Sequence, residues 1–160
     1  MKYIFYDFEG IKSWIEIGND GYARRQVNIN ADETLVSCRD NCLAEKTISD
    51  TAIDTEIENC ERIAEIYFEE IWSNSTEKYR QIWGEEKQKY AIGQNITGII
   101  KYFYTQGAII DAGSIQGCGD VSSDKSIRFF GQEISGTISG FDDKNMWILF
   151  DNCKLVRCIL

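Results

Sequence analysis

Apolar and polar residues alternate through the opening stretch, residues 2–37, and that period of two predicts strands. KYIFYDF, residues 2–8, reads as a short strand. In Lys12–Ile17 Trp14 takes one face while Ile15 and Ile17 take the other. Asn19-Asp20-Gly21 is a hairpin signal, because these residues tolerate positive φ. Tyr22–Asn30 returns, with Gln26 and Asn28 alternating against Val27 and Ile29. Ala31-Asp32-Glu33 makes another turn and Thr34–Ser37 a further strand, so residues 2–43 form an antiparallel meander.

A polar connection, residues 44–53, separates this meander from a change of period. Thr55-x-x-Glu58 is a capping-box pattern. Ile57, Cys60, Ala64, Tyr67 and Ile71 then recur at three- and four-residue steps, with Ile63 and Phe68 beside them. Glu58, Glu61, Glu65 and Glu69 line the opposite, solvated face. Ser73-Asn74-Ser75 is expected to break this helix, and a second to follow from Thr76 with Tyr79, Ile82, Trp83 and Tyr90 on its apolar face. Gly84 weakens that second helix, by about 1 kcal/mol relative to alanine.

Alternation returns after Tyr90. Ile96, Gly98 and Ile100 alternate along one strand, Gly107 marks a turn, and Ala108–Asp111 begins the return. Gly93, Gly113 and Gly117 punctuate the window, as a strongly coiled small barrel requires. Gly131 opens QEISGTISGFDDKNMWILF, two strands around a turn at Asp142–Asn145, and Asp151–Leu160 is a last strand or a packing segment. The expected class is α+β: an N-terminal antiparallel meander plus helical hairpin over residues 1–89, and a five-stranded OB-like β-barrel over residues 90–160.

Residues 91–150 resemble the S-one-type RNA-binding domain, an OB-fold module named after a ribosomal protein. Gly98-Ile99-Ile100 stands where that family has Gly-x-Val. Gly107-Ala108-Ile109-Ile110-Asp111 follows at the family's distance, and Gly117-Cys118-Gly119-Asp120-Val121-Ser122 takes the place of Gly-Leu-x-His-x-Ser. The resemblance implies a barrel and an RNA-facing surface, but the positions of the family's aromatic rings and histidine hold Gln106, Ile109 and Asp120. Base stacking contributes roughly 1–3 kcal/mol per base in single-strand binders, so these replacements imply a weakened RNA surface. RNA binding by this barrel would rest on Lys101, Tyr102, Tyr104, Lys125 and Arg128, basic residues interleaved with aromatics. The competing expectation places Phe103, Phe129 and one of the tyrosines in the core.

Charge narrows the choice. The chain carries a net charge of −9, with 11 Lys and Arg against 19 Asp and Glu in residues 1–89, and 6 against 7 thereafter. An acidic field repels phosphate backbones and speeds encounter with a basic partner. With no histidine, Ser–His and Cys–His catalysis is impossible. No phosphate-binding glycine loop is present, and Asp142-Asp143 and Glu69-Glu70 read as a turn and a solvated helix face. A zinc site from Cys38, Cys42, Cys153 and Cys158 satisfies ligand count, but the pair spacings are wider than the common two-residue gap, so small buried residues are the expectation. Of Arg24 and Arg25, alternation sends one to each face, an exposed one being expected in a surface ion pair. The residues therefore favour a non-catalytic cytoplasmic binding module without cofactor or membrane span. It would act by protein–protein recognition, as an acidic inhibitor or immunity-type protein does on a basic partner; single-stranded RNA binding by the barrel is the alternative.

Overall fold

The computed structural model describes residues 1–45 and 60–156, which form two β-sheets and one helix. The expected capping box at Thr55–Glu58, and Cys158, lie outside the described residues. The chain divides into two compact units, residues 1–78 and 79–160.

The first unit holds strands β1 (Lys2–Phe8), β2 (Ile11–Ile17), β3 (Ala23–Asn30), β4 (Glu33–Val36) and β5 (Cys60–Arg62), in the order β4-β3-β2-β1-β5. The meander is the expected one. Its first turn is a two-residue loop with both residues at positive φ, Glu9 at 51° and Gly10 at 84°, the handedness that matches twisted hairpins. One sheet face buries Ile4, Ile15, Ile17 and Ala23, with Tyr6, Leu43, Ala44 and Cys60 packed on it. Gln26 lies in the same cross-strand row as Ile4 and Ile15, and its Oε1 accepts the Ala44 N–H at 3.0 Å, which fastens the covering segment. On the opposite face Tyr3, Glu16 and Arg25 form one row across β1, β2 and β3.

Helix α1 (Glu65–Lys87) is a single element of 23 residues. The expected helical hairpin is corrected on two points. Cys60–Arg62 is a strand paired with β1, and Ser73-Asn74-Ser75 lies inside an unbroken helix. Packing overrides propensity here. Phe68, Trp72 and Thr76 recur every fourth residue and are buried, and the Thr76 hydroxyl donates to the Trp72 carbonyl at 2.7 Å, so its polar group is satisfied within the helix. The buried stripe is one residue out of phase with the expected one, leaving Tyr67 63% exposed.

The second unit contains β6 (Asn95–Tyr104), β7 (Gly107–Asp111), β8 (Gln116–Gly119), β9 (Glu133–Asp142) and β10 (Trp147–Leu155). They close into a barrel in the order β10-β8-β7-β6-β9. The β8–β10 pairing is parallel and the other four are antiparallel. Its interior holds Ile100, Ile110, Ile134, Ile138, Ile148 and Phe150. The radius is small because glycines face Phe150. A Cβ on Gly117 would stand 2.1 Å from the Phe150 ring, and one on Gly119 would stand 3.0 Å from the Phe150 Cβ. The C-terminal turn of α1 is tied to the β9–β10 turn within this unit. The Trp83 indole N–H donates to Asp143 Oδ1 at 2.8 Å, Lys87 Nζ reaches the same oxygen at 2.7 Å, and Trp83 meets Phe141 edge-on at 6.2 Å. These two donors, Lys87 first, hold the Asp143 carboxyl below its ordinary range.

Two glycine substitutions test this packing. Gly117→Ala is expected to destabilise the protein by about 1–3 kcal/mol through overpacking against Phe150. Gly84→Ala, in the last turn of α1 with nothing within 4 Å of the added methyl, is expected to stabilise it by up to about 1 kcal/mol. Urea denaturation followed by tryptophan fluorescence reads both; a neutral Gly117→Ala would refute the close-packed interior.

Candidate functional site

The RNA-surface residues expected from the sequence are not gathered into one exposed platform. Ile109 is 0% exposed and Tyr104 7%, its ring packed against Tyr102 at 4.9 Å and Trp147 at 6.3 Å. Gln106 is half-buried in the β6–β7 turn. Asp120 is exposed, but its Oδ1 accepts the Ser122 N–H at 2.8 Å, and Ser122 keeps its carboxyl below the ordinary range. Lys101 is exposed on β6, where its Nζ lies 3.8 Å from Asp111 Oδ2.

Lys125 and Arg128 are exposed in the loop between β8 and β9. The loop is held by side chains rather than by its tip. Gln132 Oε1 accepts the N–H groups of Arg128 at 2.7 Å and Phe129 at 2.8 Å, and its Nε2 donates to the Ser126 carbonyl at 3.0 Å. Arg128 Nε donates to the Lys125 carbonyl at 2.6 Å, and Ile127 is buried beneath. Phe129 and Phe130 stand out, 65% and 77% exposed, so the expectation of a core Phe129 is corrected: its backbone is spent on Gln132 and Ile127 fills the interior position.

In the first unit, Arg25 is 1% exposed and organises the space between sheet and helix. Its Nε and one terminal nitrogen donate to Glu16 at 2.6 and 3.1 Å. Both terminal nitrogens donate to Glu69 of α1, at 2.5 and 3.1 Å. The guanidinium lies 4.9 Å from the Phe68 ring centre and 5.2 Å from that of Trp72. Burial alone would lower its pKa, but the hydrogen bonds it donates to Glu16 and Glu69 hold it above the ordinary value. Of the two arginines, Arg24 takes the expected surface role, pairing with Asp20 at 2.5 Å.

Where this clamp sets α1 against the sheet, an open groove of about 470 Å³ runs beside it, lined by Phe5, Trp14, Glu61, Ile63, Tyr67, Glu70 and Ile71. The Phe5 and Trp14 rings, 5.0 Å apart, form one wall, and Ile63 and Ile71 add apolar surface. Glu61 and Glu70 are exposed at its rim, neither in an ion pair among the described residues. A second depression, lined by Phe5, Asp7, Glu9, Cys60 and Glu61, continues from it. Residues 1–78 carry 8 Lys and Arg against 17 Asp and Glu, whereas residues 79–160 carry 9 of each, so the groove lies in the acidic unit. Such a site suits a cationic side chain: aromatic faces attract it and unpaired carboxylates complete the contact. The sequence reading missed the groove because Glu61 was taken for a solvated helix residue. The three-residue strand that turns it toward Phe5 and Trp14 is too short to show a period.

The cysteines offer no activated nucleophile among the described residues. Burial pushes the Cys42 and Cys118 thiols up to about 12 and the Cys153 thiol up to about 11. Cys38 and Cys153 are buried, and no group of three or more metal-binding side chains occurs among the described residues.

Two outcomes follow. Arg25→Ala is expected to cost about 3 kcal/mol, with Arg25→Lys recovering little, because buried Glu16 and half-buried Glu69 lose their shared planar partner; urea midpoints measure this. The folded state keeps Cys42, Cys118 and Cys153 protonated, whereas the unfolded chain ionises them near the ordinary 9.0. Their stability contribution is therefore complete below that value and is lost as pH rises toward 11–12. Iodoacetamide at pH 8 should label these thiols far more slowly in the native protein than in urea.

No protein-family model matches the chain, and no curated protein matches it.

Proposed function

We propose that this chain is a non-catalytic binding protein whose acidic first unit recognises a basic protein partner through the groove between β1, β2, β5 and α1. The observation that carries the reading is the pair of carboxylates, Glu61 and Glu70, that form no ion pair among the described residues, at the rim of an aromatic-walled groove in a unit with a charge of −9. A Lys or Arg side chain entering it would lie on Phe5 or Trp14 and meet either carboxylate. A cation over an aromatic face contributes about 0.5–1 kcal/mol at an exposed site and about 2 when desolvated. The acidic field would speed encounter.

The second unit is read as an OB-like barrel of the S-one kind. Its closed strand order and parallel β8–β10 pair support that reading. In OB folds the face of the second and third strands and the loop between the fourth and fifth take oligonucleotides. Here the equivalent strands carry Ile109 and Cys118, both buried, and the equivalent turn is tied to Trp83 and Lys87. That arrangement favours protein recognition over RNA as the main activity.

The test is a titration of the full chain with a fluorescent nona-arginine peptide at low and high salt. Binding is expected at low salt, weakening steeply as salt rises. Glu61→Lys with Glu70→Lys should raise Kd at least tenfold, a loss of about 1.4 kcal/mol or more. Salt-insensitive binding, or binding unchanged in the double variant, would count against the groove. A mobility shift of oligouridine at micromolar protein, with the peptide unbound, would return the RNA reading to first place.

A further inference from the structure

Arg128, Phe129 and Phe130 form a second surface that the proposed function leaves unused. Two adjacent phenylalanine rings stand 65% and 77% exposed. The backbone beneath them is already satisfied: Gln132 takes the Arg128 and Phe129 N–H groups, Asp124 Oδ1 takes the Ser126 N–H at 3.0 Å, and Asp124 Oδ2 takes the Leu155 N–H at 3.0 Å. Gly131 N–H donates to the Ile100 carbonyl at 2.7 Å and Ile100 N–H donates to Gln132 at 3.0 Å, which pins the end of the loop to β6. The tip is thus a preformed display of two rings preceded by two cations, with little ordering cost left to meet on binding.

We propose that this loop docks in the Phe5–Trp14–Glu61–Glu70 groove of a second copy of the chain, so that copies associate head to tail and a basic partner must displace the loop to bind. The proposal rests on the groove assigned above. Charge complementarity selects the occupant. Lys125 and Arg128 precede the rings in the same loop, while Glu61 and Glu70 rim the groove and Asp7 and Glu9 line its continuation. A phenyl ring placed against Phe5 and Trp14 adds an aromatic contact, and Arg128 reaches the rim carboxylates. Anionic lipid and nucleic acid are the other surfaces such a loop could meet, and the experiment below separates them from a second copy. The two surfaces differ, so the contact is heterologous and does not close at two copies by itself.

Sedimentation equilibrium of the full chain tests this. The weight-average mass of the wild type is expected to rise continuously with concentration and to fall back on adding nona-arginine peptide. A loop variant, Phe129→Glu with Phe130→Ser, and a groove variant, Glu61→Lys with Glu70→Lys, should each associate at least tenfold more weakly. Mixed in equal amounts they should form a one-to-one complex that stops at two chains, because only the intact loop of one and the intact groove of the other remain. A wild type that stays monomeric at every concentration overturns the proposal, as does a mixture that fails to reassociate. If it stays monomeric yet binds the peptide through Glu61 and Glu70, the self-association fails and the groove reading stands; if it does neither, both fail. A monomeric wild type whose loop binds phosphatidylserine vesicles or oligouridine also overturns it.

Discussion

The first unit depends on one buried cation. Arg25 sits on the third strand with hydrogen bonds to a carboxylate from its own sheet and to another from the helix, and two aromatic rings lie against it. A guanidinium removed from water costs several kcal/mol unless its donors are met, and here the planar fork is matched on both sides. Hydrophobic contact alone would let α1 slide along the sheet; a pair of directional forks does not. Tyr3, whose hydroxyl donates to Glu16 at 3.3 Å, extends the same row to β1. The groove walls inherit their spacing from this clamp, because Tyr67, Glu70 and Ile71 are one turn or less from Glu69 and Phe68.

The second unit rests on a different constraint, closure at a small radius. Five strands leave little interior, and Phe150 takes much of it by facing Gly117 and Gly119 rather than side chains. The cost of those glycines in an unfolded chain is offset by a ring that touches several strands at once. Such a centre transmits little to the surface, so the outer loops can vary without disturbing it.

Much of this was legible in the sequence where local period and long-range packing agree. The meander turns at Asn19–Gly21 and Ala31–Glu33, and the strands around Asp142–Asn145, are found where the alternation put them. The helix was misread where they disagree. Ser73, Asn74 and Ser75 favour a break by propensity, but Trp72 and Thr76 on either side are buried, and packing holds the turn helical. The phase slipped because the three- and four-residue steps of Ala64, Tyr67 and Ile71 outweighed Phe68, Trp72 and Thr76, whose last member is polar. The exposure of the β8–β9 loop was not legible, since no local pattern distinguishes an exposed Phe129-Phe130 pair from a core one. The groove depends on residues from three separated segments, Phe5 and Trp14, Glu61 and Ile63, and Tyr67 to Ile71, and only the sheet order brings them together.

Gln132 has a consequence of its own. One amide outside the hexapeptide 125–130 fixes the course of that hexapeptide, so what is shown and what holds it are encoded separately. Sequence drift at Lys125, Phe129 and Phe130 can therefore alter what the loop meets while its trace persists, whereas a change at Gln132 would loosen the trace with every tip residue intact. The barrel in that sense is a ready scaffold for grafted recognition segments.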